Sequence, residues 1–196
     1  MRWQTLLFIL LVGFGGYQYS QSRPVGTPLG ILAAETPRQV TLDSTPRLHL
    51  DDYHVEPLAQ FSIQARVLGT ERYRLGREAE ISPVDFALGW GSMSDSKVLD
   101  RIDITQRGRF YFWRVDEFPI PREEIESHSA NMHMIPADAS VARHLEEVRP
   151  GQVVRLRGYL VAVTADDGWQ WRSSLSRTDT GSGACELFWV ESVEAG

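Results

Sequence analysis

In the stretch FSIQARVLG, Phe61, Ile63, Ala65 and Val67 alternate with Ser62, Gln64 and Arg66. A period of two is the mark of an extended strand with one face on a core and the other toward solvent. Extended apolar patterning returns in GQVVRLRGYLVAV, in ADDGWQWRSSL as a turn into a further strand, and in ACELFWVESV near the carboxyl end. DITQRGRFYFWRV reads as one more strand, with Arg109, Tyr111, Trp113 and Val115 on one side and Phe110, Phe112 and Arg114 on the other. Aromatics on both faces predict a central strand. Helical spacing is confined to short pieces. Val141, Leu145 and Val148 fall at i, i+4 and i+7, and Pro150-Gly151 stops that helix, which is expected from about Asp138 to Val148. Two further short helices are expected between residues 82 and 101. Ser82 would cap the first, with Pro83 at its opening position, and Ser94 or Asp95 the second. The fold class is therefore mainly β with short helices.

Ahead of this domain the chain changes character twice. Residues 1–22 carry Arg2 and then no charge until Arg23, around the apolar run Leu6 to Phe14. As a helix rising about 1.5 Å per residue, the uncharged stretch from Trp3 to Ser22 reaches roughly 30 Å, the depth of a bilayer core. It is expected to be a membrane anchor or a signal peptide. Trp3, Tyr17 and Tyr19 suit aromatic anchoring, and Ser20-Gln21-Ser22 suits cleavage. Arg2 on the inner side sends the remainder outward, which for a bacterial inner-membrane protein is the periplasm. Residues 23–57 hold Pro24, Pro28, Pro37, Pro46 and Pro57 with no steady apolar period, the pattern of an extended stalk. Residues 58–196 are the folded domain.

Composition excludes some functions. The formal charge of −6 argues against a nucleic-acid partner, whose backbone is bound by an excess of Lys and Arg. One cysteine, Cys185, cannot form an internal disulfide. His49, Asp51, Asp52 and His54 have ligand chemistry, but their spacing converges on no face of a regular element.

The stretch SHSANMHMIPA concentrates His128, His133, two serines and Asn131. Five positions turn His128 and His133 well away from each other on a helix and put them on opposite faces of a strand, so no metal site is expected. His133, between Met132 and Met134, reads as a strand residue, and His128 as a loop or cap residue. Cys185 shares a strand face with Leu187 and Trp189, which predicts burial among apolar neighbours. The glycine-rich turn DTGSGA before it, with Asp179, Thr180 and Ser182, keeps a Cys185/His133/Asp179 hydrolase open as the alternative. The more extended constellation is arginine and flat aromatic. Arg109, Arg155, Arg157 and Arg172 with Trp113 and Trp171 are the candidate ligand contacts, neighboured by Arg114, Arg177, Tyr111, Tyr159 and Trp169. That mixture suits anionic and stacking partners.

The order of strands, one helix, then more strands, with VRPGQVVRLRGYLV at the helix exit, resembles the OB-fold, a small Greek-key barrel, over roughly residues 57–193. The segments LGWGSMSD, SANMHMIPA and SSLSRTDTGSGACEL resemble a family of uncharacterised bacterial membrane-anchored proteins, which implies no activity. The expectation is a noncatalytic binding or assembly module without a cofactor, an OB-like barrel tethered by its amino-terminal helix. Its partner would be an envelope protein or an anionic, stacking ligand.

Overall fold

The computed structural model describes residues 3–176 and 185–196. Its helices are α1 (Trp3–Ser22), α2 (Arg77–Ile81), α3 (Ser96–Leu99), α4 (Arg122–Ser127) and α5 (Ala139–Glu147). Its strands are β1 (Arg38–Val40), β2 (Tyr53–Arg72), β3 (Val84–Gly89), β4 (Asp103–Arg107), β5 (Phe110–Arg114), β6 (Ser129–Pro136), β7 (Val153–Ala165), β8 (Gln170–Arg172) and β9 (Glu186–Ala195). A seven-stranded sheet runs β1-β2-β3-β6-β9-β7-β8, and β2 also pairs with β7, so the sheet closes partly into a ring. The β6–β9 contact is parallel, and the other ring contacts are antiparallel. Inside the ring lie Phe61, Ile63, Ala65 and Val67 of β2, Phe86 and Leu88 of β3, Met132 and Met134 of β6, Leu156 and Leu160 of β7, and Phe188 and Val190 of β9. The alternation in β2 places its apolar set there. Helix α5 closes the core with Val141, Leu145 and Val148. Its cap is Asp138, whose carboxylate accepts from the amides of Ser140 and Val141 at 2.7 and 2.9 Å. Those bonds hold the Asp138 carboxyl below the usual range.

Three expectations are corrected. The stretch after Ser82-Pro83 is strand β3, buried at every position, not a helix. Ser82 ends α2, and the apolar run VDFALG is covered on both sides, which an interior strand tolerates. Asp95 does cap α3, accepting from the Lys97 amide. The single central strand expected over 103–115 is a separate two-stranded hairpin, β4–β5, outside the ring. Gly108 and Arg109 have φ of 61° and 73°, the doubly left-handed turn that matches the twist of a tight hairpin. Residues 23–57 are not a free stalk. The Val25 amide donates to the Pro150 carbonyl, the amides of Leu32 and Ala33 reach Ser94 Oγ, and Gly91 donates to the Ala33 carbonyl. Strand β1 then extends the sheet at the edge of β2. Prolines prevented regular structure here but not docking.

Helix α1 forms over the uncharged stretch. Among the described residues, however, no helix is long and apolar enough to cross a membrane, because Gln, Tyr, Ser and Gly dilute the last turns beyond Phe14.

Candidate functional site

Asp85 of β3 pairs with His133 of β6, and His133 pairs with Leu187 of β9. Residues in register share a face, and here it is the outer one, since the alternate positions Phe86, Met132 and Phe188 fill the core. A carboxylate on an outer face is normally solvated, yet Asp85 is 0% exposed. The hairpin covers it. Its left-handed turn sets Arg109 Nη1 at 2.7 Å from Asp85 Oδ1 and 2.9 Å from the Ser82 carbonyl. The Arg109 amide donates to Tyr73 Oη, and the guanidinium lies 3.6 Å from the centre of the Tyr73 ring. Asn131 Nδ2 donates to the Arg109 carbonyl and accepts at Oδ1 from Gln106, tying hairpin to sheet. Burial, reinforced by the Asp85 charge, pushes the Tyr73 phenol up to about 12.

His133 completes the cluster. Its Nδ1 lies 3.0 Å from Asp85 Oδ2. Neither atom makes a hydrogen bond, so the pair is close but off the hydrogen-bond line. The Trp171 ring packs on the imidazole with centroids 4.8 Å apart, and Trp169 meets Trp171 edge-on at 6.2 Å. Arg77 lies over Trp169 and is pinned by Asp167 at 2.6 Å.

Over this cluster opens a cavity of about 270 Å³. Arg109 and His133 border it beside Trp169, Trp171, Arg172 and Cys185. With Nδ1 turned to Asp85, Nε2 is the ring nitrogen of His133 left for the cavity. Cys185 is half-buried at this cavity rather than enclosed among apolar side chains. Its Sγ faces the Arg109 carbonyl at 3.8 Å. Leu187 and Trp189, further along the same face, are buried. The arrangement offers a fixed guanidinium edge, an imidazole and aromatic walls, with the Glu78 carboxylate and Gln170 on the same lining.

The candidate contacts divide. Arg109, Trp171 and Arg172 come together at the cavity. Trp113 belongs to another cluster, around Met93, Ile102 and Ile125, with Phe118 edge-on to its ring at 6.1 Å. Arg155 and Arg157 are exposed on β7, where Arg155 reaches Gln64 and Arg157 borders a different cleft. His128 ends α4, its Nδ1 near the Glu124 carbonyl, and is not at the cavity. Asp179, Thr180, Ser182 and Arg177 lie outside the described residues. Among the described residues no three His, Cys, Asp or Glu side chains cluster to hold a metal. His54, from the acidic and histidine-rich stretch, pairs with Asp166 in the open at 3.0 Å.

Asp85 and Tyr73 were not singled out from the sequence, though a lone carboxylate inside the apolar run VDFALG was a signal that a buried partner awaits it. No family model matches the chain, and no curated protein or solved structure is significantly similar to it.

Proposed function

We propose that the chain is a noncatalytic binding module, an OB-like barrel domain held at the outer side of the bacterial inner membrane, with its ligand seat at the Arg109–Trp171 cavity. The observation that carries this reading is the seat itself: a guanidinium locked by a buried carboxylate beneath two tryptophans. Such a site is organised before its ligand arrives, so little ordering opposes binding. The OB-like assignment rests on the ring order β2-β3-β6-β9-β7, with α5 between the third and fourth ring strands in chain order. Residues 3–22 serve as anchor or export signal; the charge-free run supports this, and its short apolar centre suits a signal as well as an anchor. A ligand or envelope protein retained by the wild-type chain from native membranes should be lost with Trp171→Ala and weakened with Arg172→Ala, on folded protein whose melting temperature is measured beside retention. Equal retention by all three would remove the cavity from the reading. A reporter fused after Gly196 should be active only outside the cytoplasm.

One observation favours a second reading, a Cys/His-type hydrolase acting on an envelope substrate. Cys185 and His133 border one cavity, and Asp85 stands at His133 Nδ1 where an orienting carboxylate would, in the role assigned from sequence to Asp179. Against it, Sγ faces the Arg109 carbonyl oxygen, an acceptor for the thiol S–H. The binding module predicts slow labelling of Cys185 by a thiol reagent in the native state and fast labelling in denaturant. Fast native labelling with a thiolate pKa near neutrality would put the hydrolase first.

A further inference from the structure

Elsewhere on the outer face, sharing no residue with that cavity, four side chains fall in register across four strands: Arg38 of β1 opposite Ser62 of β2, Ser62 opposite Arg157 of β7, and Arg157 opposite Ser192 of β9. All face outward, since the alternate residues Phe61 and Leu156 are in the core. The row forms the floor of an open cleft of about 620 Å³, bordered also by Gln60 and Glu191.

The register at Arg157 is not the default one. Gly158 pairs with Val190, so an unbroken antiparallel ladder would set Arg157 against Glu191. A shift between Arg157 and Gly158 skips Glu191 and brings Ser192 opposite instead. Gly158 permits it, because a Cβ there would collide with the Trp189 carbonyl. The irregularity sets a hydroxyl opposite Arg157, while Glu191 stays exposed at the border of the cleft. Six other arginines, Arg77, Arg101, Arg109, Arg114, Arg122 and Arg172, are ion-paired, while Arg47, Arg66, Arg72, Arg74, Arg107, Arg143, Arg149 and Arg155 have no ion-pair partner among the described residues. Among the described residues neither Arg38 nor Arg157 has an ion-pair partner. What sets Arg38 and Arg157 apart is that they share one row with a hydroxyl between them.

We propose that the row Arg38–Ser62–Arg157–Ser192 is a binding site for a phosphate group. The two arginine Cα atoms are two strand spacings apart, roughly 10 Å, close enough for both long side chains to lean over the hydroxyl of Ser62 between them. A carboxylate, with two oxygens, occupies one guanidinium fork. A phosphate presents oxygens in several directions and engages both forks and a hydroxyl together. The phosphate comes either free in solution or as a lipid headgroup, and the same contacts serve both.

The test is nuclear magnetic resonance on the full chain in non-ionic detergent, titrated with inorganic phosphate against chloride at equal ionic strength. Phosphate should shift the side-chain Nε resonances of Arg38 and Arg157 and the amides of Ser62 and Ser192 saturably. Arg38→Gln and Arg157→Gln should each weaken the apparent affinity about tenfold at unchanged melting temperature. Arg155→Gln, on the same strand but contacting Gln64, should leave it unchanged. In lipid nanodiscs without free phosphate, the same shifts with phosphatidylglycerol, reversed by added phosphate, identify the headgroup source; shifts by free phosphate alone identify the soluble one. Linear shifts matching those of chloride, or saturation unaltered in the double variant, overturn the proposal. The cavity around Trp171 plays no part in this test.

Discussion

Asp85→Ala isolates what the buried cluster contributes. The substitution leaves the Arg109 guanidinium, whose side chain is 18% exposed, without its carboxylate, and leaves His133 Nδ1 facing an empty site. Removing one partner of a buried ion pair costs about 3–5 kcal/mol, because the other charge stays desolvated. Arg109 keeps the Ser82 carbonyl at 2.9 Å and the face of Tyr73, so the lower end applies, about 3 kcal/mol. For a domain of this size that corresponds to a fall in melting temperature of about 6–12 °C. Asp85→Ala/Arg109→Met removes both charges and should be more stable than Asp85→Ala alone. Urea unfolding at 25 °C, followed by tryptophan fluorescence and far-ultraviolet circular dichroism, measures all three chains. A loss below about 1 kcal/mol for the single variant, or a double variant no more stable than it, would refute the claim that Asp85 holds a desolvated guanidinium.

Titration followed at 295 nm should show a tyrosine ionisation near pH 12 whose amplitude falls in Tyr73→Phe. Because that value lies above the ordinary 10.0, the contribution of the neutral phenol to stability is complete below pH 10 and lost as the pH rises through about 12. Asp138→Ala should lower the melting temperature at pH 7, and the difference should shrink in acid. With its folded value held below 3.8, the Asp138 carboxylate stabilises above that pH and ceases to as the pH falls through the folded value. Ser94→Ala should cost about 1–3 kcal/mol by stranding the Leu32 and Ala33 amides, and should speed limited proteolysis between residues 23 and 40.

Period and capping chemistry made parts of the domain readable. The alternation at Phe61–Val67 is the inward face of β2, and the stripe Val141–Leu145–Val148 is the inward face of α5, between Asp138 and Pro150 as expected. What escaped has physical causes. Ser-Pro is compatible with a helix start and with entry to a strand, and an element covered on both faces, like VDFALG, shows no period to choose between them. The hairpin was hidden because Tyr111 and Trp113 keep the parity of Arg109, so the chain seems to run straight through its own turn. Missing that turn separated Arg109 from Asp85. The cavity is lined from α2, the hairpin, β6, β8 and the residue just before β9, so its assembly depends on register between segments that the sequence does not show side by side. Cys185 and His133 were both noticed, but as isolated residues.

The ring also dictates when this protein can fold. Tyr53 at the start of β2 pairs with Ala165 at the end of β7, and β9 at residues 186–195 is the strip that joins β6 to β7. Until that strip has been made, β6 and β7 each present a bare hydrogen-bonding edge and the apolar floor beneath them stays open. A chain that closes on such distant segments folds slowly and is vulnerable to edge-to-edge association while it waits. If residues 3–22 direct export, the same delay is useful, since a chain unable to close before its last strand emerges remains threadable while it crosses.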